Sequence, residues 1–230
     1  MDDAPRRLDR SEDGYPGELR SLRDPPAAVW VRGRLGAGPR LAVVGTRTPT
    51  PWGRRTADLV ATEAAHRGIC VVSGLAFGID IAAHRACLRA GGETIAVLGG
   101  GVDVPTPRAH AVDAERILSD GGALVSEQPL GTRPSPRTLT ERDRLQAALA
   151  RATVVVQSDL ASGTMHTARF TAALHHPLVV AAPPAGERDD EASSGNRALL
   201  SGFADPDLPR ATFVLRSADD LDAVFALLAG

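Results

Sequence analysis

Apolar runs and helical patterns alternate along most of this chain. Continuous apolar runs are typical of strands that are buried on both faces of a sheet. They cover residues 41–46, 69–74, 94–100, 123–128, 153–158 and 178–184. Between these runs, apolar residues at helical spacing predict helices over 52–66, 79–89, 112–119, 141–151 and 164–175. The segments TFVLRS and ADDLDAVFALLA predict one more strand and one more helix.

Strands that alternate with helices predict a mostly parallel sheet, because each right-handed crossover places a helix on one face. The predicted fold class is therefore α/β, doubly wound and extended Rossmann-like, with helices on both faces. The repeats are too few and too uneven for an eight-stranded barrel. We predict a flexible tail over 1–13, a short extension over 14–40 that packs on the core, and one Rossmann-like domain over 41–230. The polar loop 185–196 is expected to be a flexible surface segment.

Composition narrows the chemistry that this chain can perform. The formal net charge of the 230 residues is −2, and none of the 26 basic residues is lysine. Schiff-base catalysis and a P-loop lysine are therefore excluded. A near-neutral chain is not a general polyanion binder, so contact with nucleic acid would need a local arginine cluster. Aromatic residues make up 3% of the chain, which argues against a base-stacking platform.

The two cysteines, Cys70 and Cys87, provide neither a disulfide framework nor a four-ligand zinc site. The polar N-terminus lacks the apolar core of a signal peptide, and no apolar stretch is long enough to cross a membrane. These features predict a cytoplasmic protein with no metal site, no cofactor and no membrane partner.

Small, glycine-rich turns follow four of the predicted strands. The carboxyl ends of parallel strands meet at the ligand-binding edge of an open sheet, and glycine lets backbone N–H groups approach a ligand. Two of the turns also precede helices, whose N-termini favour phosphate, and Arg47 adds a guanidinium. The turns predict an anion pocket for a phosphate backbone or a nucleotide, although the dinucleotide fingerprint and the Walker pattern are absent. They are Gly45-Thr46-Arg47, Ser73-Gly74-Leu75, Gly99-Gly100-Gly101 and Ser162-Gly163-Thr164.

Six segments together resemble one protein family. They are YPGELRSLRDPPAAVWVRG, LAVVGTRTPTPWG, VVSGLAFGIDIAAHRACL, GGETIAVLGGGVDV, LVSEQPLGTRP and SGTMHTAR, in this order, over approximately residues 14–204. The series closely resembles the DNA-processing protein A family (DprA, also called Smf), and SGLAFGIDIAAH is its most specific part. The resemblance implies an extended Rossmann fold without a known catalytic activity. It also implies binding of single-stranded DNA, a homodimer, and help in loading a RecA-type recombinase during natural transformation.

The resemblance assigns roles to individual residues. Arg47 matches an arginine that contacts DNA phosphate, and most other matched positions lie in the glycine-rich turns. A later motif keeps Arg142 and Arg144, but Asp143 replaces an amide and puts a negative charge where phosphate would pass. His166 is a further candidate from its place in the first turn of a helix, where it either faces the pocket or is exposed. The predicted DNA-binding set is Gly45, Thr46, Arg47, Ser73, Gly74, Gly78, Gly99, Gly100, Arg142, Arg144, Ser162, Gly163, Thr164 and His166.

Two other functions remain open. The first is a nucleotide-binding or nucleotide-hydrolysing enzyme, since the phosphoribohydrolases of the LOG branch share this superfamily. The catalytic glutamate of that branch corresponds to Thr167, which disfavours cleavage of a glycosidic bond. The second is a degenerate paralogue that acts only through protein partners.

Two sets of titratable residues also allow more than one interpretation. Asp80 and His84 lie four residues apart on one predicted helix. They are either an acid–base pair or a helix-dipole carboxylate and a histidine in the helix interface. Glu127, at the end of a strand, either bonds to loop backbone or acts as a general base.

Overall fold

The computed structural model of the protein describes residues 4–201 and 208–228. Its strands are β1 (Arg6–Asp9), β2 (Ala28–Gly33), β3 (Arg40–Val44), β4 (Cys70–Ser73), β5 (Thr94–Val97), β6 (Ala123–Ser126), β7 (Ala152–Val155), β8 (Leu178–Ala181) and β9 (Phe213–Leu215). Its helices are α1 (Pro51–His66), α2 (Ile79–Arg89), α3 (Ala111–Ser119), α4 (Pro136–Leu149), α5 (Thr164–Ala173), α6 (Ser194–Ser201) and α7 (Leu221–Ala226). Within the described ranges, no helix is both long and apolar enough to span a bilayer.

Nine strands form one sheet in the order β1-β2-β6-β5-β4-β3-β7-β8-β9. Neighbours from β6 to β9 across this order are parallel, whereas β2 is antiparallel to β6 and β1 is antiparallel to β2. The chain adds β4, β5 and β6 on one side of β3 and then returns to add β7 on the other side. The strand order therefore reverses between β3 and β7, and the predicted doubly wound α/β fold is confirmed.

Helices cover both faces of the sheet. On one face, Leu41 and Val43 of β3 pack with α1, α2 and α7. On the other face, Ala42 packs with α4, and Val44 packs with α5 and α6. Because both faces are closed to water, β3 is apolar at successive positions rather than at alternate ones.

Two helix starts position the segments around the strand ends. Thr50 caps α1 by accepting a hydrogen bond from the N–H of Gly53, and Pro51 occupies the first helical position. The helix α4 begins at Pro136, earlier than predicted, because Ser135 and Thr138 form a capping box. This earlier start brings a full additional turn of α4 to the edge of the sheet.

The N-terminal region differs from the expected tail. Residues 6–9 form β1, which pairs with β2 at the edge of the sheet. Tyr15 and Leu19 of the N-terminal extension are buried in the same core cluster as α4. The prediction of a flexible tail was wrong for residues 6–9, because a short charged edge strand lacks the apolar alternation that reveals strands. Residues 1–3 of that predicted tail lie outside the described residues.

The loop 185–196 also differs from the expected flexible surface segment. It forms two 3-10 turns and the start of α6. Asn196 is fully buried, and its Oδ1 accepts a hydrogen bond of 2.7 Å from the N–H of Ser158. Its Nδ2 donates to the carbonyl oxygens of Val156 (3.0 Å) and Ala181 (2.8 Å). Residues 185, 186 and 188–191 are exposed as expected, whereas these three buried hydrogen bonds fasten the end of the loop to β8 and to the residues that follow β7.

Candidate functional site

A polar cavity of about 460 Å³ lies where the strand order reverses. Its walls come from the segments that follow β3 and β7 and from the first half of α4. Ligands of open α/β sheets bind at this point, because the connections there diverge and leave a crevice. The volume lies within the range of small-molecule sites, about 300–1,000 Å³.

Arg47 lies on the wall of this polar cavity with its side chain exposed. Its loop is fixed on both sides, because Thr46 donates to the carbonyl of Gln157 (2.7 Å) and Ile79 donates to the carbonyl of Thr46 (3.1 Å). Gly78 permits the second contact: its φ is 83°, and a Cβ there would lie 2.2 Å from Thr46 O. Among the described residues, Arg47 has no carboxylate within ion-pair distance. The guanidinium is therefore available to a ligand.

The first turn of α5 faces the same cavity. Ser162, Gly163 and Thr164 form its wall, and Ser162 Oγ accepts a hydrogen bond of 3.1 Å from the N–H of Thr164. No acidic side chain occupies this first turn. The partial positive charge of the helix N-terminus favours an anion, and Asp143 Oδ2 lies close to it, 3.6 Å from the position that a Cβ on Gly163 would take.

A buried ion pair forms the inner wall of the polar cavity. Arg142 Nε lies 3.1 Å from Asp143 Oδ1, and Arg142 Nη1 donates to the carbonyl of Val97 (3.1 Å). Gly74 leaves room for this guanidinium, since a Cβ there would lie 1.4 Å from Nη1. Arg142 thus holds α4 against the end of β5 and the turn after β4.

The carboxylates beside Arg142 are unusually difficult to ionise. Burial raises the pKa of Asp143 to about 7, although the charges of Arg142 and Arg47 act to lower it. Asp80 lines the same cavity, and burial also raises its pKa. The positive charge of Arg142 acts to lower the pKa of Asp80. The negative charge of Asp143 is therefore only partly formed near neutral pH.

A smaller apolar cavity of about 160 Å³ adjoins the polar one. The two cavities share Arg47 and Leu139, so we treat them as one cleft. Phe77 lies on the apolar side, is 50% exposed, and packs edge-on against His110. Its turn is strained at Leu75, a buried residue with φ of 60°, whose carbonyl lies 2.8 Å from His110 Nδ1. An exposed aromatic ring beside a cation is suited to stacking with a nucleic-acid base.

The structure brings most of the predicted residues to the cleft. The polar cavity is lined by Gly45, Thr46, Arg47, Arg142, Ser162, Gly163 and Thr164, and the apolar cavity by Arg47, Gly74, Gly99, Gly100 and Arg142. Gly78 lies behind Arg47 and does not line either cavity. Ser73 is fully buried and donates to the carbonyl of Val43 (2.7 Å). Gly78 and Ser73 therefore support the cleft rather than face it.

Arg144 and His166 do not line the cleft, contrary to expectation. Arg144 forms an ion pair with Glu127 away from both cavities. Residues two positions apart on an α-helix differ in direction by about 200°, so Arg142 and Arg144 cannot face one ligand. The same relation separates His166 from Thr164 on α5. Glu127 serves as the partner of Arg144, and its pKa is raised mainly by burial.

Asp80 and His84 do not form an acid–base pair. His84 is fully buried, and its Nδ1 lies 2.7 Å from Thr94 Oγ1. Burial lowers the pKa of His84 to about 3, so the imidazole stays neutral in the interface of α2 with the sheet. Within residues 4–201 and 208–228, no group of His, Cys, Asp and Glu is arranged to hold a metal ion.

Sequence reasoning missed several residues of the cleft. Gln146 lies four positions after Arg142 and Leu139 three positions before it, so helical spacing places all three on one face of α4. This spacing can be read from the sequence when α4 is taken to begin after its N-cap, Ser135. Phe77 and Asp159 lie in loops, where periodicity carries no information.

Comparison with known proteins places the fold in a family. The model of the DNA recombination-mediator protein A family matches residues 6–208. The chain belongs to this family. A putative DNA processing protein DprA of Mycobacterium tuberculosis is 46% identical over 179 residues, 76% of this chain and 45% of the relative. Protein Smf of Escherichia coli is 43% identical over 157 residues, 67% of this chain and 42% of the relative. The chain thus spans less than half the length of these two curated relatives.

Solved structures of DprA proteins share the architecture. DNA processing protein A of Streptococcus pneumoniae superposes with a TM-score of 0.82 and 28% identity, over 95% of this chain and 73% of that chain. DNA processing protein A of Helicobacter pylori superposes with a TM-score of 0.78 and 26% identity, over 96% of both chains. The latter structure concerns the single-stranded DNA binding mode of that protein. The nine-stranded sheet described above is therefore the DprA fold.

Proposed function

We propose that this chain binds single-stranded DNA and acts in recombination and DNA uptake without catalysing a reaction. The observation that carries the proposal is Arg47, an exposed guanidinium without an ion-pair partner among the described residues, at the strand-order reversal. The first turn of α5 lines the same cavity. Together they provide the donors that a backbone phosphate needs. The single-stranded DNA binding mode of the Helicobacter pylori relative supports this class of ligand.

The cleft favours a single strand over a duplex. Phe77 is half-exposed beside Arg47, so a phosphate on the guanidinium would place a neighbouring base near the aromatic ring. Bases in a duplex are stacked on each other, whereas an unpaired base is free to stack on a side chain. Few cations line the cleft, so we expect an affinity that depends on a small number of phosphate contacts.

The direct test is oligonucleotide binding by fluorescence anisotropy at about 50 and about 200 mM salt. Arg47→Ala is expected to weaken binding at least about tenfold and to reduce the salt slope by about one. Arg116→Ala is the matched control, since Arg116 is an exposed, ion-paired arginine on α3 that lines neither cavity. Equal binding by wild type and Arg47→Ala would overturn the assigned site.

The wider roles of the family are part of the same proposal. We expect this chain to form a homodimer and to assist a RecA-type recombinase on single-stranded DNA, as the family resemblance implies. Light scattering on the purified protein checks the dimer. Recombinase filament assembly on DNA coated with a single-strand-binding protein checks the assistance, with Arg47→Ala as the defective comparison.

A free nucleotide is the second candidate ligand, because the polar cavity has the volume of a small-molecule site. Thr167, buried in its wall, offers no carboxylate at the position of the LOG catalytic glutamate. We therefore expect no release of base from nucleoside monophosphates. Detectable turnover, lost in the Asp143→Asn variant, would favour the enzyme over the DNA-binding protein.

A further inference from the structure

Asp143 presents an unused carboxylate oxygen to the polar cavity. The residue is 6% exposed, and its Oδ1 pairs with Arg142 Nε at 3.1 Å. Among the described residues, Oδ2 receives no hydrogen bond, yet it is not sealed from the cavity. Because Oδ2 is open to the cavity and ionised carboxylate oxygens only accept hydrogen bonds, it is available to a ligand group that donates one.

A second buried oxygen beside Asp143 also lacks a hydrogen-bond partner among the described residues. Asp80 and Asp159 line the same cavity, but Asp80 Oδ2 already accepts a hydrogen bond of 3.4 Å from the N–H of Ala76. Gln146 is 2% exposed, also lines the cavity, and its Oε1 has no hydrogen-bond partner within the described part of the chain. Arg142 Nη1 donates to the carbonyl of Val97, whereas Arg142 Nε, beside Asp143 Oδ1, makes no hydrogen bond within the described residues. The inner wall therefore offers two oxygens, Asp143 Oδ2 and Gln146 Oε1, to a ligand group that donates hydrogen bonds.

We propose that the polar cavity selects a nucleotide base with an exocyclic amino group, with cytosine as the probe, and discriminates against thymine. The inference rests on the proposed binding of single-stranded DNA. Cytosine offers its N4 amino group to a carboxylate, and adenine offers its N6 amino group. Thymine presents O4 at the corresponding position, so a carbonyl oxygen would face the carboxylate of Asp143 and repel it.

The phosphate and the base have separate places in this arrangement. Arg47 holds the phosphate at the exposed wall, while Asp143 is buried and lies beside Gly163 at the start of α5. Arg47 and Asp143 line the same cavity of about 460 Å³. A single nucleotide could therefore bridge from the guanidinium to the carboxylate, which makes Asp143 a specificity-determining residue rather than only an obstacle to phosphate.

The experiment compares oligomers of dC, dT and rU, each about 12 nucleotides long, at about pH 8.5, where Asp143 is ionised. Wild type is expected to bind the dC oligomer about tenfold more tightly than the dT oligomer. Asp143→Asn is expected to bring the ratio close to one and to strengthen dT binding, because its amide donates to O4 and carries no charge. Thermal unfolding confirms that Asp143→Asn is folded. The ratio of dC to dT affinity in wild type tests the inference independently of the variant.

Three outcomes would overturn the inference. They are equal binding of dC and dT by wild type, a dC preference that Asp143→Asn leaves unchanged, and tighter binding of rU than of dT, which would assign the carboxylate to the 2′-hydroxyl. Arg47→Ala separates this inference from the proposed function. If Arg47→Ala weakens all the oligomers but wild type shows no base preference, DNA binding stands and the selectivity fails.

Discussion

Replacing Asp143 by asparagine should stabilise the protein at alkaline pH. Burial raises the pKa of Asp143 to about 7 in the folded protein, whereas an ordinary aspartate has a pKa of about 4. Each pH unit between these values corresponds to about 1.4 kcal/mol, so ionised Asp143 lowers the free energy of unfolding by about 4 kcal/mol. Asparagine cannot ionise and keeps nearly the same shape, so Asp143→Asn should recover most of this free energy.

The pH window follows from the direction of the shift. Between about pH 4 and pH 7, the folded protein holds a proton that the unfolded chain has released. The free energy of unfolding of wild type therefore falls as pH rises through this window, and the full penalty is present above about pH 7. Three charged groups face the carboxyl: Arg142 on its own helix, Asp80 on α2 and Arg47 after β3. Because ionised Asp80 raises the pKa of Asp143, the two carboxyls titrate as a coupled pair.

Urea unfolding of wild type and Asp143→Asn at about pH 5, 7 and 8.5 measures the effect. The difference in the free energy of unfolding should be about 1.4 kcal/mol at about pH 5 and should grow to about 4 kcal/mol at about pH 8.5. Asp189→Asn is the control, since Asp189 is exposed and the same substitution there should change stability little at any pH. A variant no more stable than wild type at the highest pH, or a difference that does not vary with pH, would refute the reasoning.

Three further substitutions test other parts of the cleft. Gly78→Ala should lower both the melting temperature and the affinity for single-stranded DNA, because its φ of 83° and the approach to Thr46 exclude a Cβ; an unaffected melting temperature would contradict this. Arg144→Ala should reduce the free energy of unfolding by about 3 kcal/mol, since it leaves the partly buried Glu127 unpaired, but affinity per folded molecule should not change. A loss of affinity for single-stranded DNA in Arg144→Ala would show that Arg144 belongs to the binding site. Phe77→Ala should lower affinity about tenfold in anisotropy titrations with little effect on unfolding, and unchanged affinity would remove stacking from the account.

The sheet and most helices were predictable because burial on both faces leaves a strong local signal. The helix Ile79–Arg89 has the predicted bounds, since an aspartate in its first turn and glycines after its end mark both termini. The strand Arg6–Asp9 was missed because its stability comes from pairing with β2, which its own four residues do not encode. The burial of Asn196 was missed because the sequence around it is polar, and its three buried hydrogen bonds are made with residues distant in the chain.

The location of the candidate site at the strand ends was predictable, but most side chains of α4 that face it were not. Turns at the ends of parallel strands converge on one edge of any doubly wound sheet, so Arg47 and Thr164 were correctly expected to be near each other. Arg142 and Arg144 were grouped by motif, whereas helical geometry separates them. The orientation of Asp143 depends on where α4 packs, and that is a property of the whole fold rather than of the motif.

The strained turn at Leu75 has a consequence for the order in which the protein folds. A left-handed conformation costs a non-glycine residue about 1–2 kcal/mol, so the segment from Ser73 to Gly78 does not favour this shape by itself. What holds it is the burial of Leu75 and the contact of its carbonyl with His110, 35 positions away in the chain. The place of Phe77 therefore depends on the docking of the segment before α3. We expect this edge of the sheet to form late in folding and its amides to exchange hydrogen earlier than those of β3 and β4.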